Sequence, residues 1–226
     1  MRTTQKPRRA PGRPAATPAR DARDQLLTAA TELFAQHGVA ATTFATIAHR
    51  AGMTPAMVHY YFRDREQLLD AVVAERLSML IASVWGPVEP GMEPEKLIGG
   101  FVERLLSGIE RMPWVPSTWM REVLNEGGLL RSRVLKNLPF QKVGIVGATI
   151  AHGQAGGTIN TDIDAGMMVF SMLGLVMLHM ATIRFWAETF HREMPTRETI
   201  RRHITGLLLR GIEAPPSTGR KTRKTK

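Results

Sequence analysis

"AGMTPAMVHYYF", residues 51–62, decides how this chain is read. It holds the only two tyrosines among 226 residues, side by side, behind a histidine and a Gly-x-Thr-Pro turn. Gly52 supplies the permissive backbone of a tight turn, Thr54 is placed to cap a helix, and Pro55 to occupy its first position. On a helix through 55–62, Val58, Tyr61 and Phe62 share a face by their i, i+3 and i+4 spacing, and that face must go inward. Ala56, His59, Tyr60 and Arg63 point the other way. The two tyrosines thus have separate tasks: Tyr61 is a core ring, and Tyr60 is presented to whatever the helix meets.

Outward from this stretch the chain reads as all-α. Apolar residues recur at 3.6-type spacing, Gly or Pro punctuates the runs, and the alternation of a strand is absent. A first helix is expected from about Asp24 to Gln36, with Leu26, Leu27, Ala30, Leu33 and Phe34 on one stripe and Gly38 just past its end. A short helix follows Thr42 or Thr43, then the helix after Thr54, then a longer one capped by Asp64 and ending before Gly86-Pro87. From about 88 to 213 a second helical body is expected. It has an apolar helix around Leu97–Ile109, a short one stopping at Gly127-Gly128, a segment divided or kinked at Pro139, an uncharged helix after Asp164, and a last helix from Pro195.

Two helices joined by a Gly-containing turn, the second short and exposing Ala, His, Tyr and Arg, describe a helix-turn-helix reader of duplex DNA. Ala56 lets the helix sit close to a groove wall, while His59 and Tyr60 can donate to phosphates or meet base edges. Thr43 and Thr54 offer hydroxyls and amides at helix starts, and Arg65 can reach a flanking phosphate. Between Glu32 and Asp64 there is no acidic residue, as a surface facing phosphates requires. The plainer alternative is an ordinary three-helix packing unit with a chance charge distribution.

The formal charge of +10 sits at the two ends. Residues 1–23 carry seven basic groups against Asp21, and residues 214–226 carry five against none, so the body between them is close to neutral. These Pro/Gly/Thr-rich ends are read as flexible basic arms suited to a polyanion, nucleic acid or an anionic membrane surface, or else as aids to solubility. No apolar run follows the first arginines, so a signal peptide is not expected there. "RRAPGRPA" at 8–15 holds the Gly-Arg-Pro core of a minor-groove hook, which makes Arg13 a candidate DNA contact. The absence of cysteine excludes disulfides and thiolate chemistry and fits a reducing, cytoplasmic setting.

"AATELFAQHGVAATTFATIAHRAGMTPAMVHYYFRDREQLLDAV" resembles the N-terminal module of the TetR family of repressors. The pattern runs through Ala30, Leu33, Phe34 and Gly38, then Thr42, Thr43, Ile47 and Ala48, then Ala51 and Gly52, then Tyr61, Phe62, Leu68 and Leu69; the likeness covers 24–75 without a gap. It implies a three-helix DNA-binding domain over 24–70, a larger helical effector-binding and dimerisation domain over 71–213, and a homodimer. It further implies that Thr43, Thr54, Pro55, Ala56, His59 and Tyr60 line the operator, with Arg65 where the family has a phosphate-binding lysine. Pro55, Met57 and the His59-Tyr60 order depart from the family, so base preference does not carry over.

In the second body, ten of thirteen methionines and all four tryptophans lie between Met79 and Met194. Methionine fills irregular space and adapts to apolar partners, so Trp114, Trp119, Met120, Phe170 and Met177 are candidates to line a pocket for a small apolar or aromatic effector; simple core packing is the alternative. Arg121, Glu122 and Asn125 read as a polar cluster or merely a solvated face. Residues 165–183 are long enough for a membrane span, but His179, two glycines, Ser171 and Thr182 favour a helix covered both by its own core and by a partner. No enzyme signature, cofactor motif or metal-ligand spacing is found. The sequence therefore predicts a dimeric, ligand-responsive regulator, a repressor on a pseudo-palindromic operator; an architectural DNA-binding dimer without small-molecule control is the alternative.

Overall fold

The computed structural model describes residues 18–213, which fold as helices joined by turns. Among the described residues β pairing is limited to one isolated bridge between Ile159 and Glu213. α1 (Pro18–His37) starts six residues earlier than the apolar stripe requires. Its start is held from outside: Arg23 pairs with Glu75 and lies over the Phe62 ring, and Asp24 pairs with Arg76 at 2.6 Å. Residues 18–23, read from the sequence as part of a basic arm over 1–23, thus belong to a helix; residues 1–17 and 214–226 lie outside the described residues.

α2 (Phe44–Arg50) is capped by Thr43, whose hydroxyl accepts from the Thr46 amide while Thr46 accepts from the Thr43 amide. It closes on Gly52 at φ +66°, with the Met53 amide bonded to the Ala48 carbonyl at 2.8 Å, the six-to-one bond that ends a helix in a left-handed residue. α3 (Pro55–Tyr61) follows directly. Val58 and Phe62 are fully buried and Tyr61 is half-buried, as the spacing requires. They join Leu26, Leu27, Phe34 and Ile47 in one cluster. Each such side chain contributes roughly 1.5–3 kcal/mol by leaving water.

α4 (Arg65–Val72) starts at Asp64, whose side chain accepts from the Gln67 amide at 2.8 Å. It runs through a π-helical turn, Val73–Leu77, into α5 (Ser78–Trp85) without a break. The domain boundary expected at 70/71 therefore falls inside one continuous rod, and a single apolar cluster runs from Leu26 to Ile212. α6 (Pro94–Arg111) lies at the centre of the second body with Leu97, Ile98, Phe101, Val102, Leu105, Leu106 and Ile109 buried. α7 (Val115–Thr118) leads into a second π-helical turn, Trp119–Val123. α8 (Arg131–Asn137) and α9 (Phe140–Ala155) are separated at Pro139, as expected of a residue without an amide hydrogen.

α10 (Met168–Thr189) and α11 (Arg197–Ile212) complete the second body. By length and composition α10 is apolar enough to cross a membrane, and only 28% of its most apolar window is buried. One side packs Met168, Met172, Val176 and Met177 inward. The other leaves Met167, Ser171, Gly174, Leu178, Thr182 and Phe185 uncovered, at spacings of three or four. The helix also runs past the uncharged stretch, through Arg184 and Glu188.

Candidate nucleic-acid interface and inner cavity

On the N-terminal unit, the starts of α2 and α3 and the outer face of α3 share one exposed surface. Thr43, Thr54, Pro55, Ala56, His59 and Tyr60 are all solvent-exposed. Tyr60 stands out at 77% exposure, its ring edge-on to Tyr61 at 5.0 Å, so the phenol is held by a neighbour yet keeps its hydroxyl free. His59 rests its ring against Phe44 at 4.9 Å. Thr54 occupies the N-cap position without a side-chain cap bond, leaving its hydroxyl available beside the first amides of α3.

Two basic residues are less free than the sequence implies. The Arg65 guanidinium is half-buried and donates to the Val39 carbonyl, so it braces the loop between α1 and α2 instead of extending wholly outward. Arg50 is bound across to Glu32 and Gln36 on α1. Arg63 is 88% exposed on the rim of the same surface, and its Nε donates to Asp64 at 3.1 Å. Arg13 lies outside the described residues.

Inside the second body is an apolar cavity of about 280 Å³ between α5, the second π turn, α8 and α10. Trp119, Phe170 and Met177, named from the sequence, line it together with Trp85, Phe101 and Leu105. Trp114 and Met120 do not. Trp114 lines a separate cleft beside Thr28, Arg76 and Met79, because α7 turns it towards α1. Met120 is exposed on the turn: Trp119 and Val123 face the cavity, and Met120, one position on from Trp119, points away.

The side chain that links these two regions is Glu122, which in the sequence resembles part of a solvated face. It is 6% exposed. Its Oε1 accepts the Val39 amide of the N-terminal unit at 2.8 Å and its Oε2 accepts the Leu129 amide at 3.2 Å. Val39 is thus gripped at both ends, by Glu122 at its N–H and by Arg65 at its carbonyl. Gly38 allows this approach: at φ +83°, a Cβ there would stand 3.2 Å from Arg121 Cδ and 3.4 Å from the Glu122 carboxylate. A second tie runs from α8 to α4, where Arg133 binds Glu66 and, at 2.6 Å, Asp70. Although partial burial opposes the charge, the hydrogen bonds that Arg133 donates to these carboxylates raise its pKa above the ordinary value. No sequence pattern marks Glu122 as buried; its partners are backbone amides far along the chain.

Comparison with known proteins follows this division. A family model for bacterial regulatory proteins of the tetR family matches residues 26–72. The transcriptional regulator BetI of Rhizobium meliloti is 26% identical over 98 residues, 43% of this chain and 48% of that protein. The transcriptional repressor KstR2 of Mycolicibacterium smegmatis is 33% identical over 81 residues, 35% of this chain and 40% of that protein. The chain thus spans half the length or less of these curated relatives. The solved structure of KstR2 from Mycobacterium tuberculosis superposes with a TM-score of 0.66 at 19% identity, covering 85% of this chain and 95% of that one, a likeness of fold. Residues 26–72 thus match the DNA-binding module of the tetR family of bacterial regulatory proteins, and the chain as a whole shares its fold with a regulator of that kind.

Proposed function

We propose that this protein is a homodimeric, effector-released transcriptional repressor of the cytoplasm that binds a pseudo-palindromic operator through α3. The observation that carries this reading is the exposed Thr54–Tyr60 surface, free of carboxylates from residue 33 to 63, joined by Glu122 to the wall of an apolar cavity. Ala56 permits close approach to a groove, Tyr60 and His59 supply donors to base edges or phosphates, and Thr43 and Thr54 supply hydroxyls at the flanks.

The bare stripe of α10 supports a second copy as its partner. Leu178 and Phe185 are large and exposed, and Gly174, one turn before Leu178, has no atom within 4 Å of where its Cβ would be, so two such helices can approach closely. A dimer places the two α3 helices in successive major grooves about 34–36 Å apart. An effector releases the operator only by binding more tightly to the arrangement whose heads are wrongly spaced for DNA. Glu122 and Arg133 are the two polar ties through which a change at the cavity wall reaches Val39 and α4. That the structural neighbour KstR2 is named a ketosteroid transcriptional regulator fits an apolar effector here.

Selection of bound sites from random duplex DNA tests the reading. A recovered inverted repeat, bound by a species of twice the chain mass, is the expected result. A protein that is monomeric in sedimentation and enriches no sequence would overturn it.

A further inference from the structure

The cavity wall carries one charge. Of the side chains that line it, all are apolar or aromatic except Arg131, on the same face of α8 as Val134 and Leu135. Arg131 is half-buried, and its contact is weak: Nη1 lies 3.5 Å from the Leu124 carbonyl, at the outer limit of a hydrogen bond. Two residues on, Arg133 faces the other side of the helix and takes up both Glu66 and Asp70. Among the described residues no carboxylate is paired with Arg131. A guanidinium held at the mouth of an apolar cavity and short of an acceptor favours an anion at its five donors.

The rest of the lining sets what that anion must be attached to. Among the lining residues Trp85, Phe101 and Leu105 are buried, whereas Leu124, Leu135, Phe140 and Phe170 are exposed, and Arg131 reaches the Leu124 carbonyl. A volume of about 280 Å³ lies at the low end of ligand pockets, and one guanidinium answers one negative charge. We infer that the effector is a small amphipathic monocarboxylate, with its apolar body among Trp119, Leu105 and Met177 and its carboxylate bound bidentately by Arg131. This rests on the reading of the cavity as the effector site and adds the class of molecule it takes.

The test uses the full chain and the fluorescence of Trp85 and Trp119, which line the cavity. Wild type and Arg131→Gln are titrated with decanoate, with 4-phenylbutyrate and with uncharged 1-decanol, each below its aggregation concentration. The expected result is saturable binding of at least one acid, weakened about 10- to 100-fold by Arg131→Gln, with 1-decanol binding unchanged by the substitution. Preference between decanoate and phenylbutyrate separates an alkyl from an aryl body. Equal affinity of wild type for 1-decanol and both acids, or acid binding indifferent to Arg131→Gln, overturns the carboxylate and leaves an uncharged effector. Failure of all three compounds to bind either protein overturns the inference together with the cavity reading.

Discussion

The N-terminal unit and the second body are built from similar helices, yet their apolar residues do different work. In the N-terminal unit nearly every large apolar side chain has one destination, the core shared by Leu26, Phe34, Ile47, Val58 and Phe62. In the second body the same residue types divide among three: a core on α6, the wall of a cavity, and a bare stripe on α10. A unit that must hold a fixed shape against a groove has little spare surface. The proposed function accounts for the second pattern: a body that takes a ligand and a partner leaves some of its apolar surface unpacked.

Truncating core rings is the strongest way to break this comparison. Phe62→Ala is expected to cost about 3–5 kcal/mol in urea unfolding, because the ring is wholly enclosed. Leu173→Ala, at a half-buried cavity wall, is expected to cost clearly less, because part of its surroundings is already empty. Equal costs would show that the cavity is closed in solution.

The next test addresses the connection between the two regions. Glu122→Ala leaves the Val39 and Leu129 amides without their acceptor and is expected to lose about 1–3 kcal/mol for each that stays buried. Glu122→Gln keeps one carbonyl oxygen and is expected to lose less. If the carboxylate couples the regions, the Gln variant also binds operator with a weakened response to effector, measured by gel shift with and without ligand.

At the reading surface the sign of the comparison reverses. His59→Ala and Tyr60→Ala are expected to weaken operator binding by about 1–3 kcal/mol each while leaving the melting temperature in place, since both side chains are exposed. A fall in melting temperature with unchanged DNA affinity would assign these rings to packing.

The smallest effect is expected at Asp64. The Gln67 amide, and then the Arg63 side chain, hold its carboxyl below the ordinary value of 3.8. A depressed folded-state pKa means stability present above the unfolded-state value and lost as pH falls through the folded one. Asp64→Asn should therefore lower the melting temperature slightly at neutral pH, and the difference should close in acid, below the lowered pKa. A difference that persists there would point to the cap geometry and not the charge.

The contrast between the regions also explains what could be read in advance. Residues 43–62 are legible because each position is constrained locally: Thr43 and Thr54 start helices, Gly52 closes one, and Val58 and Phe62 fix which face of α3 is left for Tyr60. Trp114 and Trp119 could not be told apart, because a tryptophan is equally at home in a core, a cleft or a cavity, and only the course of α7 separates them. Glu122 resembled a surface acid because its donors, Val39 and Leu129, are backbone amides that leave no mark on residue type. The first turns of α1 are not legible in the sequence, because Arg23 and Asp24 stabilise them through Glu75 and Arg76, partners more than fifty positions away.

The π turn at Val73–Leu77 has a consequence for the rod that joins the two bodies. Leu69, Val73, Leu77, Ile81 and Trp85 recur every four positions, and over those sixteen steps a regular helix would carry the row about 160° around its axis. The additional residue in the wider turn takes back about 100° of that drift, so the row stays directed at the protein along the rod. Removing a single residue from this turn would rotate Leu80 and Val84 out of the interior while Leu68 and Leu69 kept their places. In that segment the number of residues matters more than their identity.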